Sequence, residues 1–397
     1  MRKFLKTIIC ALMLVSTVLV TGCSSDGSST GSTVKIGVIR TDATSGEAVA
    51  WENYLNTVGA KLGYEFSFST TNDATEDVAA IETYASKGYN GIFLLSENAR
   101  VAAITKCNEY GLYVVLPTGA LTDDEFAQVK DFEYFLGSVA PTSDDEYKAG
   151  YDMAKFFVEG GSTEFTLFGG ATCYASDMHV QRLAGMLAYL CEDSSTSYDG
   201  AKTRADLIAK IAGVGVDPAK FVSNTYKVCS YMDGFNFDET FSTKLSQGIA
   251  AGGTTILSVG AGDAVTGIAS GIASGLGVSI KVGCVDAITS DYEGLFSMGY
   301  TYCCGKYASA MAPALIIMDN ALNGNKITDA SGNVPTVSLT YWVATSAEQM
   351  AEMLANDNAT DGYLYNDGVI INYRGCSYDQ LKSISEATYE EALAIRG

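Results

Sequence analysis

Apolar positions along the chain follow two alternating rhythms: short runs rich in β-branched and aromatic residues, then longer stretches with helical spacing. Val34-Lys35-Ile36-Gly37-Val38-Ile39-Arg40 reads as a buried strand, and after a Gly/Ser-bearing turn residues 46–62 read as a helix that Gly63 stops. The pattern predicts strands at 64–69, 90–95, 112–116 and 134–139, with helices at 75–87 and 99–110 between them. The order then begins again, with a helix at 143–159, a strand at 164–168 and a helix at 177–191. A polar stretch and a helix at 199–211 read as a local insertion. Strands at 225–230, 254–259 and 280–285 follow, with helices at 237–251 and 263–273. The chain closes with a helix at 306–322, a strand near 337–343 and a helix at 346–354. A hairpin at 363–371 is read from its Asn-Asp-Gly turn, and a final amphipathic helix ends the pattern.

Strands alternating with helices imply parallel sheets built from right-handed crossovers. The pattern occurs twice in a body too long for one ordinary core. The expected fold is therefore α/β, with two doubly wound parallel-sheet lobes, a hinge and an interlobe cleft. Ligands of such sheets bind beyond the carboxyl ends of the strands. The residues just after each strand are thus the candidates for function.

The first residues bear on location. Arg2, Lys3 and Lys6 precede an uncharged apolar run at 7–20, and Thr21-Gly22-Cys23 follows. The run is short for a membrane span and suits a signal peptide. Its end resembles the lipobox of bacterial lipoproteins. That resemblance implies cleavage before Cys23, lipidation of the Cys23 sulfur, and an extracytoplasmic protein anchored to the membrane by acyl chains. Residues 1–22 are then the signal peptide and 23–33, rich in Ser and Gly, a flexible tether.

The formal net charge of −21 opposes binding to nucleic acid and to anionic headgroups. Beyond Cys10 and Cys23 there are eight cysteines at wide spacings with no C-x-x-C pair, so no zinc ribbon is expected and the thiols read as small core residues. An exported location also permits disulfides, whose pairing the spacing does not define. The chain has one histidine and no G-x-S-x-G, H-E-x-x-H or phosphate-binding glycine motif. A binding protein without cofactor or metal fits better than an enzyme.

Four passages carry a family resemblance. They are 34–39 with the helix ending Lys61-Leu62-Gly63-Tyr64; Gly91-Ile92-Phe93-Leu94-Leu95-Ser96-Glu97-Asn98; Gly169-Gly170 followed by Gln181-Arg182-Leu183-Ala184-Gly185; and Val282-Gly283-Cys284-Val285-Asp286. In this order they resemble the type I periplasmic binding proteins, which include ribose- and galactose-binding proteins. The resemblance implies capture of a small solute, a sugar first of all, for an ABC permease by a monomer that closes about a hinge. It also implies three crossings between lobes, near Val139, Cys304 and Val343. The first lobe would take 34–139 and about 305–342, and the second 140–304 and about 343–397. Departures from the pattern put a ribose-type pocket in doubt: Pro117-Thr118 stands where an Asp-Arg pair is usual, Ser138-Val139-Ala140 lacks an acidic residue, and Gly305 replaces an amide. The glycines between 252 and 263 resemble nucleoside-binding lipoproteins of the basic membrane protein group, and a sensory partner of a membrane kinase would share the same fold.

Polyols are held by polar side chains at their hydroxyls and by aromatic faces at their C–H surfaces. Asp286 directly follows a strand and is either a hydroxyl acceptor or a helix cap. Arg182 is either a fork into the cleft or an ion-pair partner. Glu97 and Asn98 end the third strand, Asn98 being equally a cap. Asp42 ends the first strand, with Trp51 as a stacking surface or core residue one helix further on. Tyr174 is a second stacking candidate, Thr118 a hydroxyl donor, and Asp263 a ligand residue or cap. His179 reads as a rim residue.

Overall fold

The computed structural model describes residues 33–360 and 362–396. The expected signal peptide, the expected lipidation at Cys23 and the expected tether up to residue 32 lie outside the described residues.

The chain opens with β1 (Val34–Arg40), α1 (Gly46–Leu62), β2 (Tyr64–Thr70), α2 (Ala74–Ser86), β3 (Gly91–Leu94), α3 (Arg100–Tyr110), β4 (Tyr113–Leu116), α4 (Asp123–Val129) and β5 (Phe135–Val139). There follow α5 (Ser143–Glu159), β6 (Glu164–Phe168), α6 (Asp177–Leu190), β7 (Ser197–Tyr198), α7 (Arg204–Ile211), β8 (Phe221–Val222), β9 (Lys227–Met232), α8 (Glu239–Ala250), β10 (Thr255–Ser258), α9 (Gly262–Leu276), β11 (Lys281–Ala287), α10 (Ser290–Glu293) and β12 (Tyr300–Lys306). The chain ends with α11 (Ala312–Leu322), β13 (Thr336–Val337), β14 (Trp342–Ala344), α12 (Ala347–Asn356), α13 (Asp367–Asn372), α14 (Tyr378–Ser385) and α15 (Tyr389–Arg396).

Two six-stranded sheets result, ordered β13-β5-β4-β3-β1-β2 and β14-β12-β11-β10-β6-β9. β14 runs antiparallel to β12, and the other pairings in these sheets are parallel. β3 and β10 are buried at every position, as strands covered by helices on both faces must be. α1 starts where Ser45 accepts the Ala48 N–H and stops where Gly63 turns left-handed at φ 83°. The expected insertion is α7 with the small antiparallel pair β7–β8. No helix among the described residues is long and apolar enough to cross a membrane.

Several expected elements differ. The helix expected at 306–322 begins at Ala312, because Lys306 still belongs to β12, a buried strand that the pattern did not indicate. The strand near 337–343 is two strands, β13 in the first sheet and β14 in the second, with a crossing of the chain between them. The hairpin expected at 363–371 is a helix start. Asn366 accepts the Val369 N–H as an N-cap, and Val369 and Ile370 are buried. An Asn-Asp-Gly sequence serves turns and caps alike, and burial of the apolar pair decides between them. The tail also divides: α12 packs on β14 and α10, whereas α13 and α14 pack on α1 and α11 of the first lobe.

The chain passes between sheets after β5, after β12 and after β13. The first and third passages are paired by Ala140 N–H to Val337 O (3.1 Å) and Leu339 N–H to Ala140 O (3.1 Å). The second and third are joined by Tyr307 and Trp342, whose rings stack at 3.4 Å. Beside them lies Asp357, 6% exposed, accepting the Ser309 N–H (2.9 Å) and the Leu364 N–H (3.2 Å).

α5 and α6 approach backbone to backbone. A Cβ at Gly150 would overlap the Arg182 carbonyl oxygen, and one at Gly185 would overlap that of Tyr147. This closeness buries Arg182 (5% exposed). Its Nε donates to Glu146 (2.6 Å), Nη1 to the Val259 and Val285 carbonyls (2.6 and 3.2 Å), and Nη2 to the Tyr341 hydroxyl (2.8 Å).

Arg182→Ala would leave the Glu146 carboxylate buried without its counter-charge. Urea unfolding should show a loss of about 3–5 kcal/mol, against less than about 1 kcal/mol for the exposed pair partner Lys155→Ala.

Burial raises the Asp357 carboxyl to about 6 from its ordinary 3.8, against the pull of the Ser309 and Leu364 hydrogen bonds. A raised acid binds its proton more tightly folded than unfolded, so it makes stability fall as pH rises from about 4 to about 6, by on the order of 3 kcal/mol. Denaturant melts across that window should show this fall in the wild type and a flatter profile in Asp357→Asn.

Candidate functional site

Strand order reverses at β1 in the first sheet and at β6 in the second. Connections leave in opposite directions on either side of such a point and open a crevice at the strands' carboxyl ends. In the first lobe the crevice is walled by the segments after β1 and β3. In the second it is walled by those after β6 and β10.

A cavity of ≈ 190 Å³ occupies the first crevice, and Asp42, Trp51, Glu97 and Thr118 all line it. Asp42 shapes the loop, accepting from the Thr44 N–H (2.9 Å), the Thr44 hydroxyl (3.0 Å) and the Ser45 N–H (3.2 Å). Partial burial alone would raise its carboxyl, but these hydrogen bonds prevail and hold it at about 2. Trp51 is 8% exposed, and its indole N–H donates to the Tyr307 carbonyl (3.1 Å) in the hinge. Glu97 pairs with Arg100 at 2.6 Å. Asn98, one residue further, is exposed and lies outside the cavity lining. It does not cap α3, whose N-cap is Ala99 without a side-chain bond.

The cavity also holds charges not singled out from the sequence. Arg40 ends β1, pairs with Glu52 at 2.6 Å and lies over the Phe68 ring at 4.8 Å. Lys306, the last residue of β12, stands 5.5 Å from the Trp51 ring centre and 3.9 Å from Glu47. Burial raises the Glu47 carboxyl, Lys306 opposes the rise, and Asp286 of the other lobe adds to it. The lobes therefore face each other closely here. A Cβ on Gly46 would overlap the Asp291 carboxylate across the cleft.

In the second lobe Asp286 is half-buried at the end of β11, and one oxygen accepts the Gly262 N–H (3.0 Å) at the start of α9. Asp263 is exposed in the first turn of α9 and forms no side-chain cap. Arg182 spends its donors on Glu146, two carbonyls and Tyr341 behind the crevice wall. Tyr174 is 77% exposed on the turn after β6.

The aromatic surface of this lobe comes instead from the loop after β9. Phe235 is 44% exposed and meets Phe168 edge-on at 5.6 Å, and Phe237 packs on Phe241 at 5.0 Å. The sequence spacing starts a helix at Phe237; the structure begins α8 at Glu239 behind an Asp238 cap. Four residues other than glycine have left-handed φ among the described residues, and three of them, Ala175, Phe237 and Ala261, sit in the loops following β6, β9 and β10. Backbone strain of this kind gathers where a surface is held in place for a ligand.

No family model matches the sequence, and no curated protein matches it. Solved structures do. An arabinose ABC transporter's periplasmic binding protein from Shewanella sp. ANA-3, bound to L-arabinofuranose, is similar at TM-score 0.54 and 14% identity over 80% of this chain and 94% of that one. An ABC transporter solute-binding protein from Bacillus halodurans with bound myo-inositol is similar at TM-score 0.54 and 15% identity, over 82% and 98%. The transcription regulator CcpA of Lactococcus lactis is similar at TM-score 0.53 and 16% identity, over 79% and 99%. With its paired doubly wound sheets, three interlobe passages and facing crevices, the chain has the fold of the type I periplasmic binding proteins.

Proposed function

We propose that this chain is an extracytoplasmic, lipid-anchored solute-binding protein that captures a small sugar between its lobes and delivers it to an ABC importer. The observation that carries the reading is the first-lobe cavity. It joins an indole face to charged hydrogen-bonding groups at the switch point of a parallel sheet. Aromatic faces suit the C–H surfaces of a sugar, and Arg40, Lys306, Glu47 and Asp286 suit its hydroxyls. The similar structures with bound arabinofuranose, myo-inositol and D-fucose support the same ligand class. The basic start, apolar run and Cys23 support the anchor.

Binding rather than catalysis fits the electrostatics. Glu52 and Glu97 are held in ion pairs with Arg40 and Arg100, and Asp42 is committed to its own loop. None of these is arranged as a free acid facing a free base. A monomer would work by hinge closure, with α1 and the loop after β11 meeting across the cleft.

Isothermal calorimetry with L-arabinose, D-galactose, D-fucose, myo-inositol and a set of nucleosides should show binding by a sugar or cyclitol. Binding by nucleosides alone would overturn the sugar reading. Asp286→Ala should weaken the sugar by roughly tenfold to a hundredfold, the range of a lost charged hydrogen bond, while the melting temperature stays near that of the wild type.

A further inference from the structure

The one histidine of the chain lies at the second lobe's switch point, between the loops that follow β6 and β10. It is 7% exposed. Its Nδ1 accepts the Ala171 N–H at 2.9 Å, so in the neutral ring the proton resides on Nε2. Burial first, and the Arg182 charge second, push its pKa down to about 4, which keeps the ring neutral at ordinary pH.

The Nε2–H has no partner in the protein among the described residues, yet it is not sealed in. Among the described residues eight side-chain polar atoms are fully enclosed without a partner, and Nε2 is not one of them. A Cβ placed on the buried Gly260 would find only His179 Nε2 within 4 Å, at 3.6 Å, so open space lies in front of that nitrogen. Phe235 borders the ring, with centroids 5.6 Å apart. Gly260 carries no side chain to fill this space, whereas on the Nδ1 side Gly170 is closely packed, and a Cβ there would meet Val259, Nδ1 and Phe235.

We propose that His179 donates its Nε2–H to an oxygen of the bound ligand and so acts as a specificity residue in the second-lobe half of the site. This deepens the sugar-binding reading and rests on it. The chemistry is complementary. Asp286 and Glu47 accept hydrogen bonds and select hydroxyl hydrogens, whereas His179 gives one and selects an oxygen lone pair. A hydroxyl or ring oxygen supplies it. A ligand carrying an amine or a methyl group at that position leaves the donor buried and unpaired, which penalises it.

One histidine means one pair of ring nitrogens in the spectrum of the protein labelled with 15N-histidine. At pH 7 the free protein should show the neutral Nε2–H form. Addition of whichever of L-arabinose, D-galactose, D-fucose or myo-inositol binds in calorimetry should shift Nε2 more than Nδ1. His179→Ala should weaken that ligand by roughly fivefold or more, and His179→Gln, which keeps an N–H at similar reach, should recover part of the loss. A charged ring or the Nδ1–H form in the free protein overturns the proposal whatever binds. Sugar binding with unmoved ring nitrogens, or with full affinity in His179→Ala, overturns it and leaves the sugar reading intact. If none of the four binds, the sugar reading fails and the proposal falls with it.

Discussion

A single buried guanidinium ties the second lobe together. Arg182 reaches from α6 to Glu146 on α5, to the Val259 carbonyl just past β10 and the Val285 carbonyl within β11, and to Tyr341 in the third passage between lobes. Removing a charge from water is costly unless every part of it is matched, and here a carboxylate, two carbonyls and a hydroxyl do the matching. The phenol of Tyr341 in turn donates to the second Glu146 oxygen at 2.7 Å. The helix pair, the rim of the crevice and the hinge therefore share one set of hydrogen bonds. The crevice wall holds its shape only as long as that set is complete.

Much of the architecture was readable in the hydrophobic rhythm. The alternation from Val34 to Val139 appears as five parallel strands, and α1 spans the residues its spacing indicated. The glycine in Arg182-Leu183-Ala184-Gly185 carries a physical meaning that only packing reveals, since it is where two backbones meet. The tail was less readable. Its local signals suit a turn and a helix cap equally, and the outcome depends on burial against α1 and α11, which is a long-range fact.

The candidate site was legible in its first lobe and less so in its second. Asp42, Trp51, Glu97 and Thr118 lie just past strands or on the first helix, where a rule about strand ends finds them. Arg182, on the helix after β6, turned inward, because Glu146 and the Val259 and Val285 carbonyls supply partners that no local spacing announces. Phe235 escaped because β9 runs two residues beyond its apparent end and α8 begins two residues late. The aromatic loop then sits where a helix was expected. The result is an asymmetric pair of walls: Trp51 among charged groups on the first, and a phenylalanine cluster with Asp286 on the second.

The division of the tail has a mechanical consequence. α12 rides with the second sheet and α13 with the first, so the link between them crosses the same gap as the three passages beside the sheets. Tyr54 fastens it by donating to the Tyr365 carbonyl at 2.7 Å. A joint held by three cords keeps much freedom to swing and twist, and a fourth cord takes part of that freedom away. The two walls would then part through a narrower range of paths than three cords alone allow.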